Sequence, residues 1–407
     1  MKALIIGLGL IGGSLAKAFK KYQIASEIAV FDPNTASCKQ AMADGVANEI
    51  YYDLSNKEEL SQYQIIVIAC PLGAFANIAP LVFNNASETA LIFDVCSLKN
   101  FAELDFKSIH PNFNPSTFAN LPQNFIPAHP IAGSHLTGYQ NSDADLFVGK
   151  DFVVCLNKNP TKLQQKFAEQ LRQIITKIGS KPIELDPKKH DRIYALVSHL
   201  PQYLSFFHFS LTLPDKSIKT NIFQIATKQL SFSYLKQCFR LNYSNRDLWK
   251  EIILLNAKNL ESFYEDWKKQ FCFILHNLIT SSNPYNYIIQ CITKNYSNDF
   301  KEEEKNEIKR IINIEDDLEI ILRLISVITY LTISKIDDFQ QYAGKGFADF
   351  TSIVRIISII EEQTFNDCVR GQHYFFSENH IILDAINREL PKITFNKSIE
   401  LIFKVIL

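Results

Sequence analysis

The sequence predicts an α/β protein with a helical second half: a Rossmann-type doubly wound sheet, then a helical domain and a further helical C-terminal region. Three observations predict it. An apolar run, Ala3-Leu4-Ile5-Ile6, enters a glycine turn that opens a helical pattern. Buried-type strands then alternate with helix patterns as far as Leu185. After Asp186-Pro187 strand signals stop and long helical periodicities take over.

Gly7, Gly9 and Gly12 have G-x-G-x-x-G spacing. The first glycine permits a tight turn, the second lets backbone approach a pyrophosphate, and the third lets helix pack close to strand. Phosphates then sit on the N–H groups and dipole of the helix N-terminus. A secretory signal peptide is the rival for this stretch, with Ala16-Lys17-Ala18 as a cleavage-like site. Four glycines within Gly7 to Gly13 make a poor apolar core for such a peptide. A second strand, Glu27 to Phe31, leads into Asp32, where a carboxylate must stand to accept from a ribose 2′-OH. Asp32 repels a 2′-phosphate, and Pro33-Asn34-Thr35 supplies no cation for one, so NAD is expected rather than NADP.

Next come Gln64 to Cys70, stopped by Pro71, and Ala90 to Ser97. Asn124 to Ala128 leads into His129-Pro130-Ile131-Ala132-Gly133-Ser134. Asp151 to Cys155, an amphipathic helix over 162–178 and Lys181 to Leu185 close the sheet, which is expected to be parallel in its first half. Ligands of such sheets bind beyond the carboxyl ends of the strands. Asp94, Ser97, Lys99 and His129 stand at such ends and are site candidates.

The 407 residues suggest two or three domains: 1–186 nucleotide-binding, 187–282 helical, 283–305 a linker, and 306–407 helical. A net charge of -1 implies no basic face for nucleic acid. No apolar run approaches a membrane span. Eight cysteines lack C-x-x-C or zinc-site spacing, which points to a reducing cytoplasm and no metal. In the helical half, His190 and His199 are nine apart and do not share a helix face, unless a bend near Pro201 brings both to one pocket.

A dinucleotide fold, a strand-end histidine, and a helical domain carrying His and Arg suit hydride transfer from a small anionic alcohol. The histidine would take the hydroxyl proton as hydride leaves, and the arginine would clamp a carboxylate.

Five segments together resemble the prephenate and arogenate dehydrogenase family of tyrosine biosynthesis, over roughly residues 1 to 280. They are Gly7 to Ala16 with Asp32; Asp94-Val95-Cys96-Ser97-Leu98-Lys99; His129 to Ser134 with Gly138 and Asp145 to Gly149; His190-Asp191-Arg192 with Leu196 to Pro201; and Arg240-Leu241, Ser244 and Trp249-Lys250-Glu251-Ile252. The resemblance implies that Gly7, Gly9, Gly12 and Asp32 hold NAD, with Leu10, Ile11 and Pro71 beside it. It implies that Ser97 and His129 meet the substrate's ring hydroxyl, His129 as base, and that Arg240 binds a substrate carboxylate. His190, His199, Gln202, Ser134 and Trp249 would form the pocket. The reaction implied is oxidation with loss of the ring carboxylate as CO2, driven by aromatisation, in a homodimer joined through the helical domain.

The chain departs from the family pattern at named positions. Cys96 replaces a glycine, His135 and Leu136 replace charged residues, and Gln202 replaces a frequent histidine. The glycine motif that normally precedes the arginine is absent before Arg240, yet Gly344-Lys345-Gly346-Phe347-Ala348-Asp349 matches it. Residues 306–407 are therefore expected to be a degenerate repeat of the helical domain, giving a pseudo-dimer within one chain. The competing alignment makes 203–323 an insertion and Arg355 the working arginine. Alternative functions are an arogenate or dual-substrate cyclohexadienyl dehydrogenase, a β-hydroxyacid dehydrogenase, or a non-catalytic NAD-binding regulator.

Overall fold

In a computed structural model the opening apolar run is β1, Lys2–Ile6, and the glycine turn leads into α1, Leu10–Lys21. The structure describes residues 1–133, 136–211, 245–280 and 390–406. The chain divides into two units, Met1–Tyr194 with Asp247–Ala257, and Ala195–Arg246 with Lys258–Leu407.

The first unit continues through β2 (Glu27–Phe31), α2 (Thr35–Ala43), β3 (Glu49–Ile50), α3 (Lys57–Leu60), β4 (Ile65–Ile68), α4 (Leu72–Asn85), β5 (Leu91–Asp94) and β6 (Phe125–Ile126). These strands form one sheet of order β3-β2-β1-β4-β5-β6, with every neighbouring pair parallel. Strand order reverses between β1 and β4, which opens a crevice at their carboxyl ends.

Both faces of the sheet are covered, so the strands read as continuous apolar runs. Ala3, Ile5, Ile65, Val67 and Phe93 pack with Leu15 and Phe19 of α1. Leu4, Ile6, Ile66, Ile68 and Ile92 face Leu72, Phe75, Ala79 and Val82 of α4. Phe75 anchors an aromatic cluster there, stacked on Phe101 with ring centroids 4.5 Å apart and tilted against Phe118 and Phe125. Burial of each such ring contributes about 1.5–3 kcal/mol.

The single sheet expected to run on to Leu185 is instead two. After β6 the chain leaves the parallel sheet at Pro127, which has no N–H for a ladder. Its carbonyl accepts from Cys155 N at 2.8 Å. The chain then forms β7 (Ala128–Pro130), β8 (Asp151–Cys155), α5 (Lys162–Lys177) and β9 (Lys181–Leu185). β7 pairs antiparallel with β8, and β8 parallel with β9. α5 starts with a capping box in which Thr161 and Gln164 satisfy each other's backbone N–H groups.

The helical half begins at α6, Pro187–Tyr194. Asp186 caps it, accepting from Lys188 N at 3.0 Å and Lys189 N at 3.1 Å, and Pro187 takes the first helical position, where no N–H is needed. The first compact unit runs to Tyr194, and α8 (Arg246–Leu255) belongs to it from Asp247 on. The reason is burial. Ile252 and Leu255 complete the apolar layer that holds α4, with Leu248 and Trp249 packed at its margin.

In the second unit, a π-helical turn, Ala195–His199, precedes α7, Leu200–Leu211. Pro201 follows directly, and its ring and missing N–H prevent a regular α ladder across that turn. α9 (Ala257–Thr280) and α10 (Phe395–Ile406) pack with α7. The Tyr203 ring lies 5.5 Å from Phe395 and 5.9 Å from Tyr264, and its hydroxyl hydrogen-bonds Ser398. The chain's last helix therefore belongs to the same unit as α7. The expected linker 283–305, Gly344 to Gly346 and Arg355 lie outside the described residues.

Candidate active site

Gly7 has φ of 96°, a left-handed conformation that favours glycine. A methyl group there would strike the Ala69 carbonyl, and one on Gly12 would strike the Gly7 carbonyl. These two glycines therefore hold the turn closed. Gly9 differs: a Cβ at Gly9 would meet nothing within 4 Å. Gly9 is the N-cap of α1, and no side chain caps the helix or puts a carboxylate in its first turn. Leu10 and Ile11, the first two residues of α1, are half-buried. Open space above uncapped helical N–H groups suits a pyrophosphate.

Asp32 follows β2 and is half-buried. Its carboxylate accepts from Leu8 N at 2.6 Å and from Asn34 N at 2.7 Å. One side chain thus ties the glycine turn to the end of β2 and keeps acceptor capacity for a hydroxyl pair. The residues present fit NAD. Pro71 is the N-cap of α4 at the end of β4. Beside it, Glu251 of α8 accepts from Gly73 N at 3.0 Å.

Beyond β5, two strand-end candidates prove to be spent on each other. Asp94 and Lys99 are both fully buried and ion-paired. Asp94 also accepts from Cys96 N at 2.8 Å and Ala128 N at 3.2 Å, and Lys99 donates to the Ala128 carbonyl at 2.6 Å. Burial raises the Asp94 pKa, and Lys99 with the two amides opposes the rise. The pair fastens β7 to the end of β5. Ser97 lies on the same short segment, half-buried.

His129 is the central residue of β7 and is half-buried. Its Nδ1 is 3.0 Å from Nε2 of His190 on α6. His190 is fully buried, and its Nδ1 is 2.8 Å from the Asp191 carboxylate. Burial, then the nearby Lys99 charge, pushes the His190 pKa well below its ordinary value, so the ring is neutral. Tyr194 packs on both rings, with centroids 4.4 Å from His190 and 5.1 Å from His129.

Sequence reasoning named His129 and His190, and the fold brings them together across 61 positions. It missed Asp191 and Tyr194 as partners. Tyr194 is four residues from His190, a same-face spacing that gives a usable signal. Trp249, an expected pocket residue, is half-buried and packs at the margin of the apolar layer beside α4. His199 and Gln202 are buried in the second unit. Ser134 and Arg240 lie outside the described residues. Among the described residues no cluster could hold a metal ion, and no helix is long and apolar enough to cross a membrane.

The strand order, the glycine turn and Asp32 define a Rossmann-type nucleotide-binding protein. Residues 15–184 match the model for the prephenate dehydrogenase nucleotide-binding domain, and residues 186–294 match the model for the prephenate dehydrogenase dimerization domain. The chain belongs to the prephenate dehydrogenase family. It is 23% identical to a prephenate dehydrogenase of Bacillus subtilis over 269 residues, covering 66% of this chain and 67% of that protein. It is 26% identical to a cyclohexadienyl dehydrogenase of Zymomonas mobilis over 271 residues, 65% of this chain and 85% of that one. The fold matches a prephenate dehydrogenase of Aquifex aeolicus, solved with hydroxyphenyl propionate and NAD+, with a TM-score of 0.58 and 22% identity, over 76% of this chain and 97% of that one.

Proposed function

We propose that this chain is an NAD-dependent dehydrogenase that converts prephenate to 4-hydroxyphenylpyruvate with loss of CO2. The observation that carries it is His129, a half-exposed imidazole beside the carboxyl end of a sheet that also holds the glycine turn and Asp32. When bound, NAD supplies the hydride acceptor. Gly9 and the first turn of α1 receive its pyrophosphate, and Asp32 receives its ribose hydroxyls. His129 accepts the proton of the ring hydroxyl as carbonyl character develops there, and returns it as the phenol forms. Ser97 orients that hydroxyl, and Arg240 binds a carboxylate in a bidentate fork. His199, Gln202, Ser134 and Trp249 are assigned to the pocket, and His190 backs His129 at Nδ1. Loss of the base is worth about 10²–10⁴ in rate.

A second reading is a cyclohexadienyl dehydrogenase that takes prephenate and arogenate. The similarity to the Zymomonas protein favours it. The family's dimerization model over residues 186–294 supports a homodimer, and the buried thiols of Cys38, Cys96 and Cys155 support a reducing cytoplasm. One assay tests the reading: NADH formation with each substrate, and with NADP in place of NAD. Turnover of prephenate with NAD is expected. Turnover of neither substrate overturns the assignment.

A further inference from the structure

A neutral imidazole carries one proton, and its neighbours decide which nitrogen holds it. His190 has two such neighbours, the Asp191 carboxylate at Nδ1 and His129 Nδ1 at Nε2. Were its proton on Nε2, the Nδ1 lone pair would face a carboxylate oxygen at 2.8 Å, two acceptors in contact. The proton therefore sits on Nδ1 and is donated to Asp191. His190 Nε2 is then an acceptor, and only a donor can face it. That donor is the Nδ1–H of His129.

Asp191 is held firmly enough to impose this order. Its Oδ1 accepts from Lys99 N at 2.8 Å and its Oδ2 from Asn100 N at 2.9 Å. Asn256 Nδ2 donates to its backbone carbonyl at 3.1 Å. Two main-chain amides keep the carboxylate from rotating, so it acts as a fixed acceptor.

We propose that the buried His190–Asp191 pair sets the tautomer of His129, holding its proton on Nδ1 and its lone pair on Nε2, the nitrogen that acts as base. This deepens the proposed function and rests on it for the word base; the tautomer itself does not. His190 and Asp191 are positioning residues. When His129 takes a proton, its Nδ1–H already points at an acceptor backed by a carboxylate, which favours the imidazolium. The charged and titratable groups set around the two rings are Asp191 and Tyr194 on α6, Lys99 with its partner Asp94, and Asp151 and Cys155 on β8.

The test is a long-range proton–nitrogen correlation spectrum of the full chain labelled with nitrogen-15 histidine, with His129→Asn identifying the signal. The expected wild-type spectrum shows His129 protonated on Nδ1. In His190→Gln, whose amide oxygen still accepts, that form persists. In His190→Phe it gives way to a mixture. A wild-type His129 protonated on Nε2 overturns the proposal without any variant, and an unchanged spectrum in a folded His190→Phe protein does the same. Kinetics supply the second readout. His190→Phe should lower kcat about 10–100-fold with KM within about threefold, and should move the acid limb of the kcat profile to lower pH. His190→Gln should restore most of both. A loss confined to KM, with the limb unmoved, contradicts the role. Failure of the functional reading looks different: no turnover of either substrate, beside an intact Nδ1 signal.

Discussion

The carboxylate of Asp191 accepts the backbone N–H of Lys99 at 2.8 Å across ninety-two positions of sequence. Through it the segment after β5 is fixed to α6, and the histidine pair to both. An amide in its place presents an N–H to groups that are already donors. Asp191→Asn is expected to cost about 1–3 kcal/mol, the usual penalty for a buried hydrogen-bonding group left without a partner. Urea denaturation of the full chain checks it. An unchanged midpoint would mean the carboxylate carries no structural weight.

The glycine turn separates two kinds of damage. A methyl on Gly12 meets the Gly7 carbonyl, so Gly12→Ala should shift the helix against the strand and cost about 1–3 kcal/mol. A methyl on Gly9 meets no protein atom within 4 Å. Gly9→Ala should keep the wild-type melting temperature yet weaken NADH binding about tenfold or more, because the methyl stands where the phosphates approach. Calorimetry and NADH titration on both variants distinguish them. Equal NADH affinity for Gly9→Ala and the wild type would place the phosphates elsewhere.

Asp32 has two tasks, bracing Leu8 N and receiving a ribose. Asp32→Asn should weaken NAD binding about tenfold to a hundredfold and NADP binding much less, since the charge that repels a 2′-phosphate is gone. The measured ratio of the NADP dissociation constant to the NAD dissociation constant should therefore fall. A ratio that stays constant would show that Asp32 does not select the cofactor.

The legibility of this chain follows the range of the forces involved. β1, α1 and β2 can be read directly, because apolar runs, glycine spacing and a strand-end aspartate are local signals. Pro127 marks the place where the sheet divides, but a proline that ends a strand and one that redirects it look alike in sequence. Lys99 and Asp94 stand at a strand end as site residues do, and only packing shows that they neutralise each other. Asp191 adjoins His190, and neighbours on a helix do not ordinarily face each other, so no spacing rule pairs them. α8 is periodic and reads as part of a helical domain, yet Ile252 and Leu255 are needed against α4.

The buried ion pair gives a prediction with a built-in control. Lys99→Met leaves the Asp94 carboxylate in an apolar setting with only the amides of Cys96 and Ala128. That change is expected to cost about 3–5 kcal/mol, as for other broken buried pairs. Lys99→Met combined with Asp94→Asn removes the stranded charge and should recover part of the loss. Equal destabilisation of the single and double variants would show that the charge itself is not the cost.

His190 predicts an acid limit to stability. Its folded pKa lies well below the ordinary 6.5, because burial and then Lys99 disfavour the charged ring. Above pH 6.5 the ring is neutral in both folded and unfolded chains, and its contribution is fully present. As pH falls from 6.5 toward the folded value, the unfolded chain binds a proton that the folded one refuses. Stability then drops by up to about 1.4 kcal/mol per pH unit. Carboxylates add their own losses at lower pH, so the comparison must be with His190→Gln, which cannot titrate. Denaturation midpoints measured from pH 7.5 to 5 should fall more steeply for the wild type, and the curves should converge on acidification. Parallel curves across that window would mean that His190 takes up its proton in the folded state, and the order of hydrogen bonds from His129 to Asp191 would have to be drawn again.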